Sequence, residues 1–583
     1  MKLVNIKKEL EYCSRQNQRG TMKTSQHMLA FWGKAGLLAI VAMFLFWKSK
    51  FGFGNIDESF YICLSQRLWQ GDALLVHEWS LQQLSGFVTL PLYALHMKVF
   101  GSTDGIILHF RYVYVVFMLM AATYHYLCFR KYADSGAFYG ALAFAMSAPF
   151  GIMALSYNSL GVIFFSLSVS TFVCASRWRF ASMVFGGVCF AISVLACPFL
   201  ILAYFMFGIS SCLRKTLKLE FFPFSIGCGV IAIIFLYFCL SRATFADIFQ
   251  ALPYFFDDPD HMNKSFLIVL RDWLGHFFLV QKWWSLVLLV AVFAVFLNRQ
   301  VRMKDESAGW QSDFYYLIVY LIVMLLMMLV VLVIRPWSDF FALPVCVIAT
   351  VCIPMSRNPK TRRIGIYGVA PAYVYGFCTC LGTNQGSYLV ASVMFVSVVP
   401  ATVILFRTVH EFLSKNSLGR KAICIRAVIC ANMLVLIFGM TYCRYRMVWW
   451  DAPMADLGAE IECGPEKGLY TTQIIKSSWY DKSRESIVNS VPSNVEDRVF
   501  FHCSRLWLYL CVSNKMASYS AWTTGAGPAL YARMDRYWSL HPNRVPKFAL
   551  VREGERELLD GLTLKYHLAP VGKLGDACIL KKD

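Results

Sequence analysis

Basic residues in this chain gather at every second junction between long apolar runs. The runs occupy residues 28–47, 106–128, 136–155, 159–176, 181–196, 198–212, 221–240, 285–297, 314–334, 340–354, 364–381, 388–406 and 422–442. Most approach the roughly 17–25 apolar residues that carry an α-helix across a bilayer. Lys7, Lys8, Arg15, Arg19 and Lys23 precede the first run. Arg130-Lys131 follows the second run, Arg177 and Arg179 the fourth, and Arg214, Lys215 and Lys218 the sixth. Arg299, Arg302 and Lys304 follow the eighth, Arg357, Lys360, Arg362 and Arg363 the tenth, and Arg407, Lys415, Arg420 and Lys421 the twelfth. Lys and Arg favour the cytoplasmic ends of spans, so the alternation predicts about 13 spans with residues 1–27 as a cytoplasmic arm. Counting 84–101 as another span would invert every later cluster. That stretch is therefore expected as an interfacial or re-entrant helix on the outer face.

Composition supports a membrane class. Of 583 residues, 58% are hydrophobic, only 15% are charged, and mean hydropathy is +0.52. A soluble chain of this length would carry about 25% charged residues. The formal charge of +20 reads as a record of topology, so no nucleic-acid partner is expected. The basic arm is followed by an apolar run long enough to span, which does not resemble a cleavable signal. The 20 cysteines lie mostly in apolar runs, and no CxxC pair has zinc spacing.

This threading makes 28–442 a transmembrane domain and puts three large segments on the outer side: 48–105, 241–284 and 443–583. The last shifts to mixed charge. Strand-like runs at 467–472, 498–503 and 547–551, with helical stretches at 480–490 and 529–538, predict a small extracytoplasmic α/β domain. Cys463, Cys503, Cys511 and Cys578 fall in it, where a disulfide and free thiols are both open.

The candidate chemistry is acidic and outer. Asp57 and Glu58 sit about ten residues past the first span, and a carboxylate at an apolar membrane surface can act as a general base. As a plain loop acid it would do nothing. Tyr61, His77 and Glu78 share the segment and can line a sugar pocket or form the wet face of a helix. Lys98, Arg111 and Arg335 are outer cations that can hold a phosphate or simply snorkel. Asp257, Asp258, Asp260 and His261 can bind a divalent cation, orient an acceptor, or form a polar turn around Pro259. No cofactor is certain from sequence.

The order Asp57-Glu58, Tyr61, Gln66-Arg67, Gly71-Asp72, Glu78-Trp79, Leu90-Pro91-Leu92-Tyr93, Phe100-Gly101 and Arg111 resembles the first outer loop of the GT-C membrane glycosyltransferases. The aminoarabinose transferase and protein O-mannosyltransferase branches are the most similar. The resemblance covers residues 55–111 as motif and most of the chain as architecture. It implies an inverting glycosyltransferase in a bacterial cell membrane, moving a sugar from a polyprenyl-phosphate donor to a glycan, lipid or protein acceptor on the outer side. Asp57 would be the catalytic base, and Glu58 a supporting or acceptor-binding group. Two departures stand out. Leu90 replaces a second proline, and Ala196-Cys197-Pro198 lacks a lysine often present at that junction.

Two other classes fit less well. A transporter or flippase for a lipid-linked saccharide is expected to carry charges inside its spans and an even span count. A polysaccharide polymerase or ligase accounts less well for the acidic pair and the outer C-terminal domain.

Overall fold

The computed structural model describes residues 28, 31–53, 57–174, 179–213, 215–256, 265–279, 309–334, 337–356, 358–382, 386–414, 419–448, 451–502, 505–523 and 527–582. Two compact units are present. One ends at Lys48 and contains helix α1 (Phe31–Lys48); the other runs from Ser49 to the C-terminus.

The second unit is built from helices in chain order. They are α2 (Asp57–Trp69), α3 (Leu84–Phe100), α4 (Ile106–Phe129), α5 (Asp134–Ala145), α6 (Tyr157–Cys174), α7 (Arg179–Ala196), α8 (Ile201–Leu213) and α9 (Lys215–Leu240). Then come α10 (Phe245–Phe256), α11 (Phe266–Leu279), α12 (Gly309–Ile334), α13 (Ala342–Cys352), α14 (Ala370–Leu381), α15 (Val398–Ser414) and α16 (Gly419–Arg446). Ten helices among the described residues, α1 included, are long and apolar enough to cross a membrane. The chain is a multi-pass membrane protein.

Ten is fewer than the expected 13, and the three differences have separate reasons. The expected run 198–212 forms a shorter apolar helix, Pro198–Cys212. The run 285–297 lies outside the described residues. The run 136–155 forms the 12-residue helix α5, followed by the 3-10 turn Pro149–Gly151, and is shorter than those ten. Gly136 and Gly140 let α5 lie directly on α15. A Cβ at Gly136 would stand 2.9 Å from the Thr402 carbonyl oxygen, and one at Gly140 2.8 Å from the Val399 Cα. The apolar run there is packed between helices, which composition does not distinguish from a run facing lipid.

The C-terminal region is mixed α/β, as its composition predicts. A five-stranded sheet has the order β4-β3-β5-β7-β6. Its strands are β3 (Arg498–Phe501), β4 (Lys515–Met516), β5 (Phe548–Arg552), β6 (Ala569–Leu574) and β7 (Ala577–Lys581), with β1 (Ala459–Glu460) and β2 (Tyr470–Thr471) forming a separate pair. β3 runs parallel to β4 and β5, while β5–β7 and β7–β6 are antiparallel. Parallel neighbours need a crossover, and helix α17 (Pro528–Leu540) lies between β4 and β5 in the chain. Cys463, Cys511 and Cys578 are free thiols, and Cys503 lies outside the described residues.

The core of this region is shared. Trp79 from the first outer segment and Ala251 and Phe255 from α10 pack with Phe500, Ala549 and Trp538. Trp79 is fully buried, stacks on Tyr254 at 4.4 Å and on Tyr519 at 5.8 Å, and donates its indole N–H to the Val76 carbonyl. A buried aromatic contributes most when its polar tip is satisfied. All three segments that the charge pattern groups on one side thus close over one core.

Candidate functional site

The site begins with a strap, Ser49 to Phe53, laid against the C-terminal region. Gly52 N donates to the Tyr470 carbonyl (2.9 Å) and Tyr470 N to the Lys50 carbonyl (2.7 Å), so Phe51 pairs with the end of β2 like a short parallel strand. Gly52 has φ +96°, which favours glycine there. Phe53 is 2% exposed and sits edge-on to Trp479, Tyr480 and Trp507 at 5.3–5.9 Å. Its N–H donates to the Asp451 carboxylate (2.7 Å).

Helix α2 opens with Asp57 and Glu58 in its first turn, where the helix dipole favours negative charge. The two acids face different ways. Glu58 is buried and takes Arg111 in a two-pronged ion pair, with Nε to Oε1 at 2.8 Å and Nη2 to Oε2. Arg111 also donates to the carbonyls of Ser49 (2.8 Å), Phe51 (3.3 Å) and Gly52 (2.9 Å). A guanidinium has five N–H donors, and these contacts use them up. Arg111, one of the expected phosphate contacts, is placed as a staple between strap and helix.

Asp57 is half-buried. Tyr61, one turn along α2, is buried with its ring edge-on to Tyr157, the first residue of α6 (5.7 Å, 83°). Burial, then the charge of Asp57, push the Tyr61 phenol well above its usual range, so it stays protonated. Tyr157 also rims a cavity of about 40 Å³ at the ends of α6, α7 and α14, lined with Gln82, Asn158, Cys197, Thr379 and Gly382. The Ala196-Cys197-Pro198 junction contributes to this wall.

The other residues of the first loop are committed to the brace at the far end of α2. Arg67 pairs with Asp72 (Nε to Oδ2, 2.8 Å) and Glu78 (Nη1 to Oε2, 2.6 Å). Asp72 also takes Arg544 at 2.8 Å. Burial alone would raise the Asp72 carboxyl, but Arg544 and Arg67 hold it far below the usual carboxylate range. Glu78 further accepts from the N–H groups of Ala521 (3.1 Å) and Ser80 (3.3 Å). His77 Nδ1 accepts from Ala73 N (2.9 Å) and Arg544 Nη2 (2.7 Å). Burial, then Arg544, draw the imidazole down to about 3, so it is neutral with the proton on Nε2. Lys98 is exposed near the end of α3. Arg335, Asp257, Asp258, Asp260 and His261 lie outside the described residues. Among the described residues, no group of three or more His, Cys, Asp and Glu is placed to hold a metal.

Two residues stand out that the sequence reading passed over. Arg444, at the end of α16, is 3% exposed; its Nη1 donates to the Gly151 carbonyl (3.1 Å), while Nε and Nη2 have no hydrogen-bond partner among the described residues. The available signal was an arginine at the end of a long apolar run away from the basic pair Arg420-Lys421. Glu466 is 1% exposed with neither oxygen hydrogen-bonded. Tyr480 lies beside it but donates to the Cys463 carbonyl (2.9 Å). Burial raises the Glu466 carboxyl to about 8. No sequence signal marks it.

No protein-family model and no curated protein matches this sequence. Among solved structures, the chain is similar to ArnT from Cupriavidus metallidurans in the apo state, with a TM-score of 0.51 at 13% identity over 94% of this chain and 98% of that one. ArnT bound to undecaprenyl phosphate gives 0.48 at 12% identity, over 94% of this chain and 98% of that one. The oligosaccharyltransferase AglB from Archaeoglobus fulgidus, in complex with an inhibitory peptide and a dolichol-phosphate, gives 0.47 at 12% over 92% of this chain and 70% of that one. The chain shares its overall fold with the first of these, ArnT.

Proposed function

We propose that this protein transfers a sugar from a polyprenyl-phosphate donor to an acceptor hydroxyl at the outer membrane face, with Asp57 as the base. The observation that carries this reading is the placement of Asp57. It opens α2 against the Tyr61–Tyr157 pair, and Tyr157 rims the cavity at the ends of α6, α7 and α14. Glu58, the adjacent acid, is taken up by Arg111 in the ion pair that fixes the start of α2.

The chemistry needs little else. The Asp57 carboxylate takes the acceptor proton while the acceptor oxygen attacks the anomeric carbon, and the bond to the lipid phosphate breaks on the opposite face. Attack opposite the leaving group inverts the anomeric centre. The leaving group is a phosphate, stable as an anion, so no general acid is required and a cation suffices to hold it. Arg444 suits that task, because a buried guanidinium with unspent donors is costly unless an anion completes it. Lys98 and Arg335 are the further proposed phosphate contacts, and Asp257, Asp258, Asp260 and His261 a proposed acceptor or metal site. Glu58, Tyr61, His77 and Glu78 support the base by fixing its helix. The N-terminus is proposed to be cytoplasmic and the C-terminal region, residues 443–583, outside.

The test is Asp57→Asn in proteoliposomes carrying a polyprenyl-phosphate sugar. Removing a general base is expected to cost about 10²–10⁴-fold in rate, with the unfolding temperature unchanged. Wild-type transfer by a folded Asp57→Asn protein overturns the assignment.

A further inference from the structure

A second cavity, of about 310 Å³, lies toward the opposite ends of the same helices. That is at the low end of the roughly 300–1,000 Å³ typical of small-molecule sites. Its wall is almost wholly apolar. Phe172 of α6 stands edge-on to Phe207 of α8 at 5.0 Å and to Tyr367 at 5.4 Å, and Phe224 of α9 and Val374 of α14 close it.

Its depth follows from the chain. Tyr367 is one turn beyond Arg363, Phe224 one turn beyond Glu220, and Phe172 two residues before the end of α6. From Arg363 to Val374 is about 16 Å at roughly 1.5 Å per helical residue. That is close to half of the about 30 Å hydrocarbon core, one leaflet. The cavity wall starts about one turn beyond these basic residues, and from Ile366 to Val374 it covers about 12 Å, most of one leaflet.

Charge gathers about one helical turn from its wall, before Phe224 and Tyr367. Arg179 and Arg363 both pair with the buried carboxylate of Glu220, Arg363 at 3.4 Å. Both guanidiniums remain about half exposed (53% and 48%). Lys131 joins them, its ammonium donating to the Cys174 carbonyl at the end of α6 (3.2 Å). Three cations against one carboxylate leave donors for an anion near an apolar slot that covers most of one leaflet.

We propose that this is a binding site for an anionic phospholipid of the leaflet on the basic side. One acyl chain lies in the cavity and the phosphate sits between Arg179 and Arg363. The site goes beyond the sugar-transfer reading and does not depend on it. It lies toward the end of α6 away from Tyr157, so an unaltered Asp57→Asn result would leave it standing.

The test is native mass spectrometry of the full chain released from nanodiscs of phosphatidylcholine with phosphatidylglycerol. Wild-type protein is expected to retain one phosphatidylglycerol. Arg179→Gln with Arg363→Gln should lower retention about tenfold or more, since each basic group near a lipid surface is worth about 1 kcal/mol. Ala370→Phe, which fills the cavity without touching charge, should lower it similarly. Lys421→Gln, at the basic end of α16, should leave it unchanged. Each variant is first checked for an unaltered unfolding temperature in plain phosphatidylcholine. Three results overturn the proposal: equal retention by the arginine and Ala370 variants, an equal loss with Lys421→Gln, or a retained species that is zwitterionic or isoprenoid.

Discussion

Glu58 and Arg111 stand 53 residues apart and form a two-pronged buried ion pair directly behind Asp57. The pair also collects the carbonyls of Ser49, Phe51 and Gly52. It separates two acids that look equivalent in sequence. Glu58→Gln leaves Arg111 buried without its counter-charge, which for a pair of this kind costs about 3–5 kcal/mol. A large fall in unfolding temperature is therefore expected, with transfer lost alongside. Asp57→Asn loses transfer alone. Thermal unfolding in detergent, run beside a transfer assay, separates the two.

Phe53 tests whether the aromatic cage fixes the start of α2. Truncating a buried Phe to Ala costs about 3–5 kcal/mol. Phe53→Ala should lower both unfolding temperature and transfer rate, while Phe53→Leu should recover most of both. An active Phe53→Ala protein would show that the cage is dispensable.

Arg444→Gln removes the guanidinium proposed to meet the donor phosphate. A hydrogen bond to a charged group contributes about 1.5–3 kcal/mol, so the donor KM should rise about tenfold or more. Arg444→Lys should fall between the two. An unchanged donor KM would leave Arg444 a structural residue only.

Stability should peak near neutral pH. His77 and His541 are drawn down to about 3 and about 4, burial first and Arg544 second. Below their ordinary value of 6.5 the unfolded chain binds protons that the folded chain refuses, so stability falls as pH drops. Glu466 acts in the opposite direction. Burial raises it from 4.5 to about 8, so across that range the folded chain keeps a proton that the unfolded chain releases. Stability therefore falls as pH rises toward 8. Unfolding temperature measured from pH 5 to 9 should pass through a maximum near 6.5, and Glu466→Gln should remove the fall above it and steepen the fall below it.

Charge and apolar periodicity made the architecture legible. The alternation of basic clusters grouped residues 48–105, 241–284 and 443–583 on one side, and residues of all three share the core around Trp79. Gly71 and Gly101, two of the residues that carry the resemblance, have φ of +95° and +68°. What stayed hidden was long-range pairing. Glu78 meets Ala521, and His77 meets Arg544, across 443 and 467 residues. No local pattern reveals that these polar groups are already committed. The same blindness made Arg111 look like a free cation and hid Arg444.

The bond from Phe53 N to Asp451 spans 398 residues of chain. A nascent chain released after α16 would own every long apolar helix among the described residues, yet lack the Asp451 bond, the β2 partner and the aromatic cage that hold the strap. The strap is without the contacts that hold it until residues 451–507 have followed.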